Sequence, residues 1–391
     1  MASTPPAPAA APTSLQWDVF CRVVDNFGDI GVCWRLARDL ARRGQRVRLW
    51  ADDATALRWM APGGEPGVEL VPWLASTPSP PPGDVVVEAF GCDPPEAFVA
   101  AMAARAADAD ARPPVWINLE YLGAEPYVER SHGLASPQLA GPGRGLTKWF
   151  FYPGYTAATG GLLREPELLA EQRGFDRAPW LAAQGLAPAS GERLVSLFCY
   201  PGAPVDRLVG ALAADGVPTL ILTSPGAATG AVRAALAAAG AQPGTSGAPL
   251  RQHALPWLPQ PEYDRLLWSC DLNFVRGEDS WVRAQWAGRP FVWQAYPQAD
   301  GAHVRKVEAF LDRMLAQAPP EAATQLRRWH AAWNGFEQVP AARAEAAPPP
   351  LPAWTPATLE SATLAAQAWR AQLLALPDLA SALLAKVMEK R

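Results

Sequence analysis

The chain has 391 residues, of which 49% are hydrophobic and 18% are charged, a composition typical of globular proteins. Its length exceeds that of one ordinary domain, so we expect two domains, each with its own core. The formal net charge is −4, which provides no basic surface of the kind that binds nucleic acid or anionic membranes.

The amino terminus, residues 1–15, is rich in Ala, Pro, Ser and Thr, and we expect it to be a disordered lead-in. It lacks the basic stretch and apolar core of a signal peptide, and no later apolar run is long enough to span a bilayer. The five cysteines include no CxxC pair, which argues against a zinc site or a disulfide framework. These features predict a cytoplasmic protein.

The first structural unit is centred on the stretch from Asp25 to Gly31, DNFGDIG. An apolar run from Val19 to Val24 precedes it, and an amphipathic segment from Val32 to Arg43 follows it. This order of strand, glycine-bearing turn and helix places the turn at the carboxyl edge of a parallel sheet, where open α/β folds bind ligands. Asp25 and Asp29 favour a cationic or hydroxyl-bearing ligand over phosphate. A structural interpretation is equally open, in which Asp29 caps the helix and Asp25 tightens the turn.

The first half of the chain alternates apolar runs with helical or loop segments. We predict helical stretches near residues 54–60 and 95–107, and strands at Val47–Trp50, Val68–Trp73, Val85–Phe90 and Val115–Leu119. This alternation predicts a parallel sheet covered by helices, and we assign residues 16–185 to a first domain. The irregular segment from Glu120 to Gly161 is typical of functional loops. Within it we expect a buried final strand at Trp149–Tyr152, and Glu120 and His132 are further site candidates.

The alternation restarts after a helical connector at Glu165–Glu192, and we assign residues 186–347 to a second domain. The predicted strands are Leu194–Cys199, Thr219–Thr223, Leu272–Val275 and Phe291–Gln294. The predicted helices are Val205–Ala214, Ala227–Ala239, Glu262–Cys270 and Trp281–Ala287, with the segment His253–Leu258 between the second and third. After a Pro-rich linker, a helical segment at about residues 357–391, broken near Pro377, is expected to pack back on the first domain.

A second strand-turn-helix unit, Phe274 to Ser280, carries the most informative polar residues of the second half. Arg276, Ser280 and the free N–H groups at the start of the next helix are predicted to form a diphosphate site. The structural alternative is that Asp279 or Ser280 is only a helix cap and that Arg276 only makes a surface ion pair. Gln260, which lies between a strand edge and a helix, is placed to read a base through its amide.

Several common catalytic motifs are missing from the sequence. It contains no GxxxxGK[ST], HExxH or GxSxG motif, and no GxGxxG follows the first strand. This argues against nucleoside triphosphatases, zinc proteases, serine hydrolases and nicotinamide dehydrogenases. Two α/β domains, with a carboxylate turn in one and an Arg/Ser turn in the other, resemble glycosyltransferases of the GT-B type.

More closely, the chain resembles the protein-arginine rhamnosyltransferases that mature bacterial elongation factor P. Ordered blocks carry this resemblance: DNFGDIGVCWRLARDL, WINLEYL, SPQ, FFYPGY, TGGLLRE, LPWLPQPEYDRLLW, FVRGEDSWVRAQWAGRPFVWQAYPQ and DGAH. It implies two Rossmann-like domains facing across a cleft. It also implies inverting transfer of L-rhamnose from dTDP-β-L-rhamnose to one arginine of elongation factor P, which activates that factor for ribosomes stalled at polyproline. No cofactor is implied beyond the donor substrate, and no nucleic-acid or membrane partner.

The resemblance implies three catalytic acids, Asp25, Asp29 and Glu278, with Asp29 as the general base or the carboxylate that orients the guanidinium. A guanidinium has a pKa above about 12 and delocalised lone pairs, so it is a poor nucleophile until a carboxylate binds it and withdraws a proton. Charge on the leaving diphosphate is expected to be stabilised by Arg276 and backbone N–H groups, without a metal.

The donor-binding residues are also implied by the resemblance. Arg276, Asp279 and Ser280 would hold the ribose and diphosphate, and Tyr296 would lie near the sugar or phosphate. The thymine would be surrounded by Phe198, Tyr200, Trp257 and Gln260, although the family has phenylalanine where this chain has Trp257. The remaining members of the implied donor-binding set are Asn26, Phe27, Gly28 and Gly277.

Two other functions remain open on the sequence. The chain could be a GT-B enzyme that uses another nucleotide sugar and a small-molecule acceptor, or a non-catalytic protein that binds elongation factor P or a nucleotide. The three acids argue against the second alternative, because a protein that only binds does not need three carboxylates in a cleft.

Overall fold

The structure, a computed structural model, describes residues 14–25, 27–74, 80–239, 250–337 and 349–391. The predicted lead-in lies almost entirely outside these ranges. In the described residues the chain forms two β-sheets, one from each half of the sequence, and helices pack against both. None of the described helices is both long enough and apolar enough to cross a bilayer. All five cysteines are buried and free.

The first sheet has seven strands in the order β3-β2-β1-β4-β5-β7-β6, and only β6 runs antiparallel to its neighbour. Its central strands β4 and β5 are buried at every position, as expected for a parallel sheet covered on both faces. The elements of this half, including the two short helices of the connector, are β1 (Gln16–Cys21), α1 (Gly28–Arg42), β2 (Arg46–Ala51), α2 (Leu57–Met60), β3 (Val68–Pro72), β4 (Val85–Ala89), α3 (Glu96–Ala107), β5 (Val115–Leu119), α4 (Pro126–Ser131), β6 (Ala135–Pro137), β7 (Thr147–Phe151), α5 (Leu168–Gly174) and α6 (Arg177–Ala183).

The predicted final strand of this domain exists, but the prediction that it is buried is wrong for most of its residues. Strand β7 contains Trp149 and Phe150, which are half-buried, and Phe151, which is the one buried side chain of the strand. The reason is that β7 lies next to the edge of the sheet, where its outer neighbour is the three-residue strand β6, and that Trp149 is covered by the flexible side chains of Lys386 and Lys390.

The second sheet has five parallel strands in the order β10-β9-β8-β11-β12. Strand β10 ends at Ala254, earlier than the predicted segment, because Pro256 has no N–H group to donate to a strand ladder. The elements are β8 (Arg193–Leu197), α7 (Val205–Ala214), β9 (Thr219–Thr223), α8 (Ala227–Ala238), β10 (Leu250–Ala254), α9 (Gln260–Ser269), β11 (Leu272–Arg276), α10 (Asp279–Ala287), β12 (Phe291–Gln294), α11 (Ala302–Met314) and α12 (Pro320–Trp333). The last two helices were not predicted from the sequence.

The carboxyl-terminal segment packs across both halves: its last helix returns to the first domain as expected, whereas the helix before it lies against the second. Helix α13 (Pro356–Leu374) contacts α10 and α12, and α14 (Leu379–Lys390) returns to α1. Between them the chain turns at Pro377, and Asp378 caps α14 by accepting a hydrogen bond from the N–H of Ser381. Arg43, which directly follows α1, donates hydrogen bonds to the side chains of Asp378 at 2.9 Å and Ser381 at 2.6 Å. The exact domain limits remain a prediction.

Both predicted turns occupy the positions at which such folds bind ligands. In the first sheet the strand order reverses between β1 and β4, and in the second it reverses between β8 and β11. Ligands of open α/β sheets bind outside the carboxyl ends of strands at such reversals. Helix α1 begins already at Gly28 and α10 at Asp279, so each turn leads directly into the first turn of a helix.

Candidate active site

The two turns touch each other. Gly277 has a φ of 61°, a left-handed conformation that favours glycine. A Cβ atom at this position would lie 2.6 Å from Oδ2 of Asp25 and 3.0 Å from the hydroxyl of Tyr200. A Cβ at Gly28 would also lie 2.6 Å from Oδ2 of Asp25. Glycine is therefore favoured at position 277, a side chain at position 28 would displace the Asp25 carboxylate, and residues from both sheets form one site.

Asp29 fastens the first turn. Its Oδ2 accepts hydrogen bonds from the N–H groups of Val24 at 2.8 Å and Asp25 at 2.9 Å, and its Oδ1 accepts one from the hydroxyl of Tyr121 at 3.2 Å. The residue before α1 is Phe27, which makes no side-chain capping bond. The alternative in which Asp29 caps the helix is therefore wrong: the carboxylate points back toward the turn.

Asp25 has one carboxylate oxygen that is bonded and one that is not. Oδ2 accepts a hydrogen bond of 2.5 Å from the hydroxyl of Tyr200. Oδ1 is buried and has no hydrogen-bond partner among the described residues. Burial raises the pKa of this carboxyl group, while the hydrogen bond from Tyr200 and the positive charge of Arg276 oppose the increase. A buried carboxylate oxygen without a partner is costly, so Oδ1 is suited to accept a hydrogen bond from a ligand.

Glu278 immediately precedes α10 and reaches into the first domain. Its Oε2 accepts a hydrogen bond of 3.0 Å from the N–H of Leu122, which follows β5. Burial raises the pKa of Glu278 to about 7, and the positive charge of Lys306 acts in the opposite direction. Glu278 thus belongs to the second domain in sequence but faces the carboxylates of the first.

An open pocket joins the three acids, and we call it the acidic cavity. Its lining includes Asp25, Asp29 and Glu278, together with Tyr121 and Lys306. Three carboxylates face one ammonium group there, so the cavity suits a cationic ligand that can donate several hydrogen bonds. Neither Tyr121 nor Lys306 was assigned a role from the sequence. Tyr121 lies two residues after β5, at the carboxyl edge of the sheet, and this position is the sequence feature that could have indicated a role in the site.

A second pocket lies on the other side of Asp25. We call it the aromatic cavity, and its lining includes Phe27, Phe198, Trp257 and Arg276. Asp25 lines both cavities. A ligand that spans the two would therefore pass Asp25, with an apolar or flat group on one side and the acids on the other.

Arg276 is held by aromatic rings. Its guanidinium carbon lies 4.3 Å from the ring centres of both Phe198 and Tyr200, and 5.5 Å from that of Phe27. Within the described residues its guanidinium makes no ion pair, and the side chain is buried. The alternative of a surface ion pair is therefore wrong. A guanidinium that is fixed by stacking and that donates no side-chain hydrogen bond to the described part of the chain is suited to bind a phosphate.

The side chains of Ser280 and Asp279 are occupied within the protein. Ser280 Oγ donates to the carbonyl of Arg276 and accepts from its N–H group. Asp279 accepts from Arg35 Nε at 2.6 Å and from Gln260 Nε2 at 3.2 Å. The residue that precedes α10 is Glu278, which makes no side-chain capping bond, so neither residue is the helix cap. The free N–H groups of the first turn of α10 remain for an anion.

Gln260 bridges the domains and retains a free oxygen. Its Nε2 donates to the carbonyl of Gly31 at 3.0 Å, whereas its Oε1 is buried without a partner among the described residues. A Cβ at Gly31 would lie 3.2 Å from Asp279 Oδ2 and 3.3 Å from this Nε2. The second glycine of the first turn thus allows close approach of the other domain.

A buried ion-pair cluster beneath the site connects the domains. Arg35 of α1 pairs with Asp264 at 3.0 Å and with Asp279 at 2.6 Å. Arg283 pairs with Asp264 at 2.7 Å and with Glu165 at 2.6 Å. Arg35 and Asp264 are separated by 229 positions in sequence, so no local pattern predicts these contacts. The cluster fixes α1 against α9 and α10, which carry the two turns and Gln260.

Other predicted residues lie at the margin of the site or outside it. Tyr296 is 44% exposed, lines the acidic cavity and packs edge-on against Tyr200. Asn26 lies outside the described residues. Glu120 and His132 line neither cavity: Glu120 accepts a hydrogen bond from Asn118, and His132 bonds to the backbone of Tyr152. In the described part of the chain, no cluster of three His, Cys, Asp or Glu side chains is arranged to hold a metal ion.

Comparisons with known proteins show which family the chain resembles over most of its length. The family described as elongation factor P (EF-P) rhamnosyltransferase EarP matches residues 17–388. A protein-arginine rhamnosyltransferase of Pseudomonas putida is 42% identical over 94% of this chain and 97% of its own length. One of Pseudomonas aeruginosa is 41% identical over 82% of this chain and 87% of its own. A solved structure described as the structural basis for EarP-mediated arginine glycosylation of translation elongation factor EF-P is 30% identical, with a TM-score of 0.62 and coverage of 97% of this chain and 100% of that chain.

Proposed function

Because the chain belongs to the family of elongation factor P rhamnosyltransferases, we propose that it transfers L-rhamnose from dTDP-β-L-rhamnose to an arginine side chain of elongation factor P. The observation that carries this proposal is the meeting of the acidic and aromatic cavities at Asp25. A nucleotide sugar placed across that junction has its base on the aromatic side and its reacting carbon beside the carboxylates.

The proposed donor site uses groups that the protein leaves free. The thymine packs against Trp257 and Phe198, and Oε1 of Gln260 accepts the hydrogen bond of its ring N–H. The diphosphate binds to the Arg276 guanidinium and to the backbone N–H groups at the start of α10. Because the side chains of Asp279 and Ser280 are already bonded, their proposed contribution to diphosphate binding is through their N–H groups.

The proposed acceptor site is the acidic cavity. The guanidinium of the target arginine is held by Asp29 and Glu278, with the free Oδ1 of Asp25 as a third acceptor. One guanidinium nitrogen attacks the anomeric carbon of rhamnose while the bond from that carbon to the diphosphate oxygen breaks. The proton leaves the attacking nitrogen for a carboxylate, which we propose to be Asp29, and the electron pair leaves with dTDP. A single displacement of this kind inverts the anomeric configuration.

The charges on both sides of the reaction are matched by residues of this chain. The acids lower the free energy of a cationic acceptor and stabilise the positive charge that grows on it. On the leaving side, Arg276 and the N–H groups of α10 stabilise the negative charge on the diphosphate. We therefore propose that the reaction needs no metal ion and no cofactor beyond the donor substrate.

The test is the intact mass of unmodified elongation factor P after incubation with this protein, dTDP-rhamnose and a chelator, followed by peptide mapping. The proposal predicts one added deoxyhexose on one arginine. Matched controls are elongation factor P with that arginine replaced by lysine, and dTDP-glucose as donor. No addition, although dTDP-rhamnose binds by calorimetry, would favour another acceptor or a protein that only binds. Faster transfer from another sugar donor would favour the alternative glycosyltransferase.

A further inference from the structure

Three aromatic side chains from both domains meet at the aromatic cavity. Trp59 of α2 stacks on Trp257, with ring centres 4.5 Å apart and an angle of 27° between the planes. Phe27 contacts both rings edge-on, at 5.5 Å from Trp59 and 5.1 Å from Trp257. We call Phe27, Trp59 and Trp257 the interdomain aromatic cluster. All three line the cavity.

The cluster spans the cleft between the domains. Trp59 belongs to the helix that follows β2 of the first sheet, whereas Trp257 lies in the loop between β10 and α9 of the second. Trp257 is 37% exposed, so its indole is not fixed by burial in a core. In the described structure its ring contacts are with Trp59 and Phe27, both of the first domain. The orientation of the Trp257 ring therefore depends on the opposite domain.

We propose that Trp59 is a positioning residue for the nucleotide donor, which acts by holding Trp257 in the orientation against which the base packs. This inference rests on the proposed function for the identity of the base. Offset stacking of two indoles adds to the attraction from their buried area, and a surface prearranged for its ligand binds it at a smaller entropic cost. Because the stack crosses the cleft, binding of the base and closure of the domains support each other.

Neither the sequence pattern nor the proposed mechanism requires Trp59. In sequence it lies in a short predicted helical stretch, and it contacts none of the three acids or Arg276 among the ring and hydrogen-bond contacts of the described residues. Its contact with Trp257 is the reason to assign it to the donor site.

The test measures the affinity for dTDP by calorimetry, without elongation factor P. Trp59→Ala is expected to bind dTDP about tenfold more weakly, because the loss of one aromatic pair corresponds to that order of magnitude. Trp59→Phe should retain most of the affinity, and Trp59→Leu, which keeps bulk but not stacking, should not. The control is Trp73→Ala, a half-buried tryptophan of the same domain that contacts Phe20 and Arg22 instead. It should bind like the parent protein.

A double-mutant cycle separates positioning from general destabilisation. If Trp59 acts through Trp257, then adding Trp59→Ala to Trp257→Ala should weaken dTDP binding no further. Additive losses, or an unchanged dissociation constant for both Trp59→Ala and Trp59→Leu, would overturn the inference. Failure of the parent protein to bind dTDP would overturn the proposed function as well, so the two failures are distinguishable.

Discussion

The hydroxyl of Tyr200 donates a 2.5 Å hydrogen bond to Oδ2 of Asp25, and this bond joins the two domains at the centre of the site. Burial and the negative charge of Asp25 raise the pKa of Tyr200 well above its usual value, so the proton stays on the tyrosine. Asp25 therefore acts as the hydrogen-bond acceptor in this pair. Its other oxygen, Oδ1, remains available to a ligand.

Removal of this hydroxyl should impair transfer without removing the aromatic ring. In Tyr200→Phe, Oδ2 of Asp25 loses its donor while the ring can still stack on Arg276. An unsatisfied buried acceptor costs about 1–3 kcal/mol, so we expect kcat/KM for elongation factor P to fall about tenfold or more. Tyr127→Phe is the control, because Tyr127 is 45% exposed and lines neither cavity. Equal activity of the two variants would contradict the role of this hydrogen bond.

Donor affinity should depend on the stacked guanidinium of Arg276. Arg276→Ala is expected to weaken dTDP-rhamnose binding by about 2 kcal/mol, or roughly thirtyfold, which is typical of lost hydrogen bonds to a charged group. Arg276→Lys should restore little, because an ammonium group cannot stack on Phe198 and Tyr200 as a planar guanidinium does. Calorimetry measures both effects. A dissociation constant that does not change in Arg276→Ala would exclude a phosphate-binding role.

Activity should increase with pH through neutrality because of Glu278. Only the ionised carboxylate binds a guanidinium as an ion pair, and the pKa of Glu278 is raised by burial to about 7. We therefore expect kcat/KM for elongation factor P, at saturating donor, to be low below that pH and to level off above it. Because the charge of Lys306 lowers this pKa, Lys306→Met should move the midpoint to higher pH. A midpoint that stays in place in this variant would contradict the assignment to Glu278.

The ionisation of Glu278 is expected to change stability with pH in the direction opposite to its effect on activity. The carboxyl group of Glu278 has a higher pKa in the folded protein than its usual value of 4.5, so the folded state binds the proton more tightly. The contribution of this group to stability is therefore complete below about pH 4.5 and is lost as the pH rises through about 7.

The buried ion pairs beneath the site should matter more for folding than exposed ones on the same helix. Arg35→Met removes the cation that pairs with Asp264 and Asp279, and loss of one buried partner typically costs about 3–5 kcal/mol. Arg42→Met is the matched control, since Arg42 pairs with Glu65 at 3.0 Å but its side chain is 38% exposed, and such pairs contribute about 0–1 kcal/mol. Urea unfolding compares the two variants. Equal losses would show that the buried cluster does not connect the domains energetically.

The parts of the fold that the sequence predicts are those with a strong local signal. Strands such as β9 and β12 each contain three consecutive apolar residues, and both occur at their predicted limits. The two glycine-bearing turns could be found because a strand and an amphipathic helix flank each of them. Helices α11 and α12 were missed, although α11 carries a clear buried face that includes Val307 and Phe310.

The site contacts that the sequence does not predict are those made between the domains. Asp279 follows the second turn and was assigned to the donor, yet its carboxylate pairs with Arg35, which lies 244 positions away. The stack of Trp59 on Trp257 likewise joins two residues that are far apart in sequence and belong to different domains. Local periodicity carries no information on which side chains face each other across a cleft, so residue types alone cannot separate a ligand-binding group from one already occupied.

The central claim is that the carboxylates of the first turn bind the acceptor guanidinium and take its proton. The most direct test is the rate at which Asp29→Asn transfers rhamnose to elongation factor P at saturating dTDP-rhamnose, measured by intact mass. Asparagine can preserve the hydrogen bonds to Val24 and Asp25 but cannot accept the proton. We predict a rate about 10²–10⁴-fold below that of the parent protein. An unchanged rate would contradict the proposed mechanism.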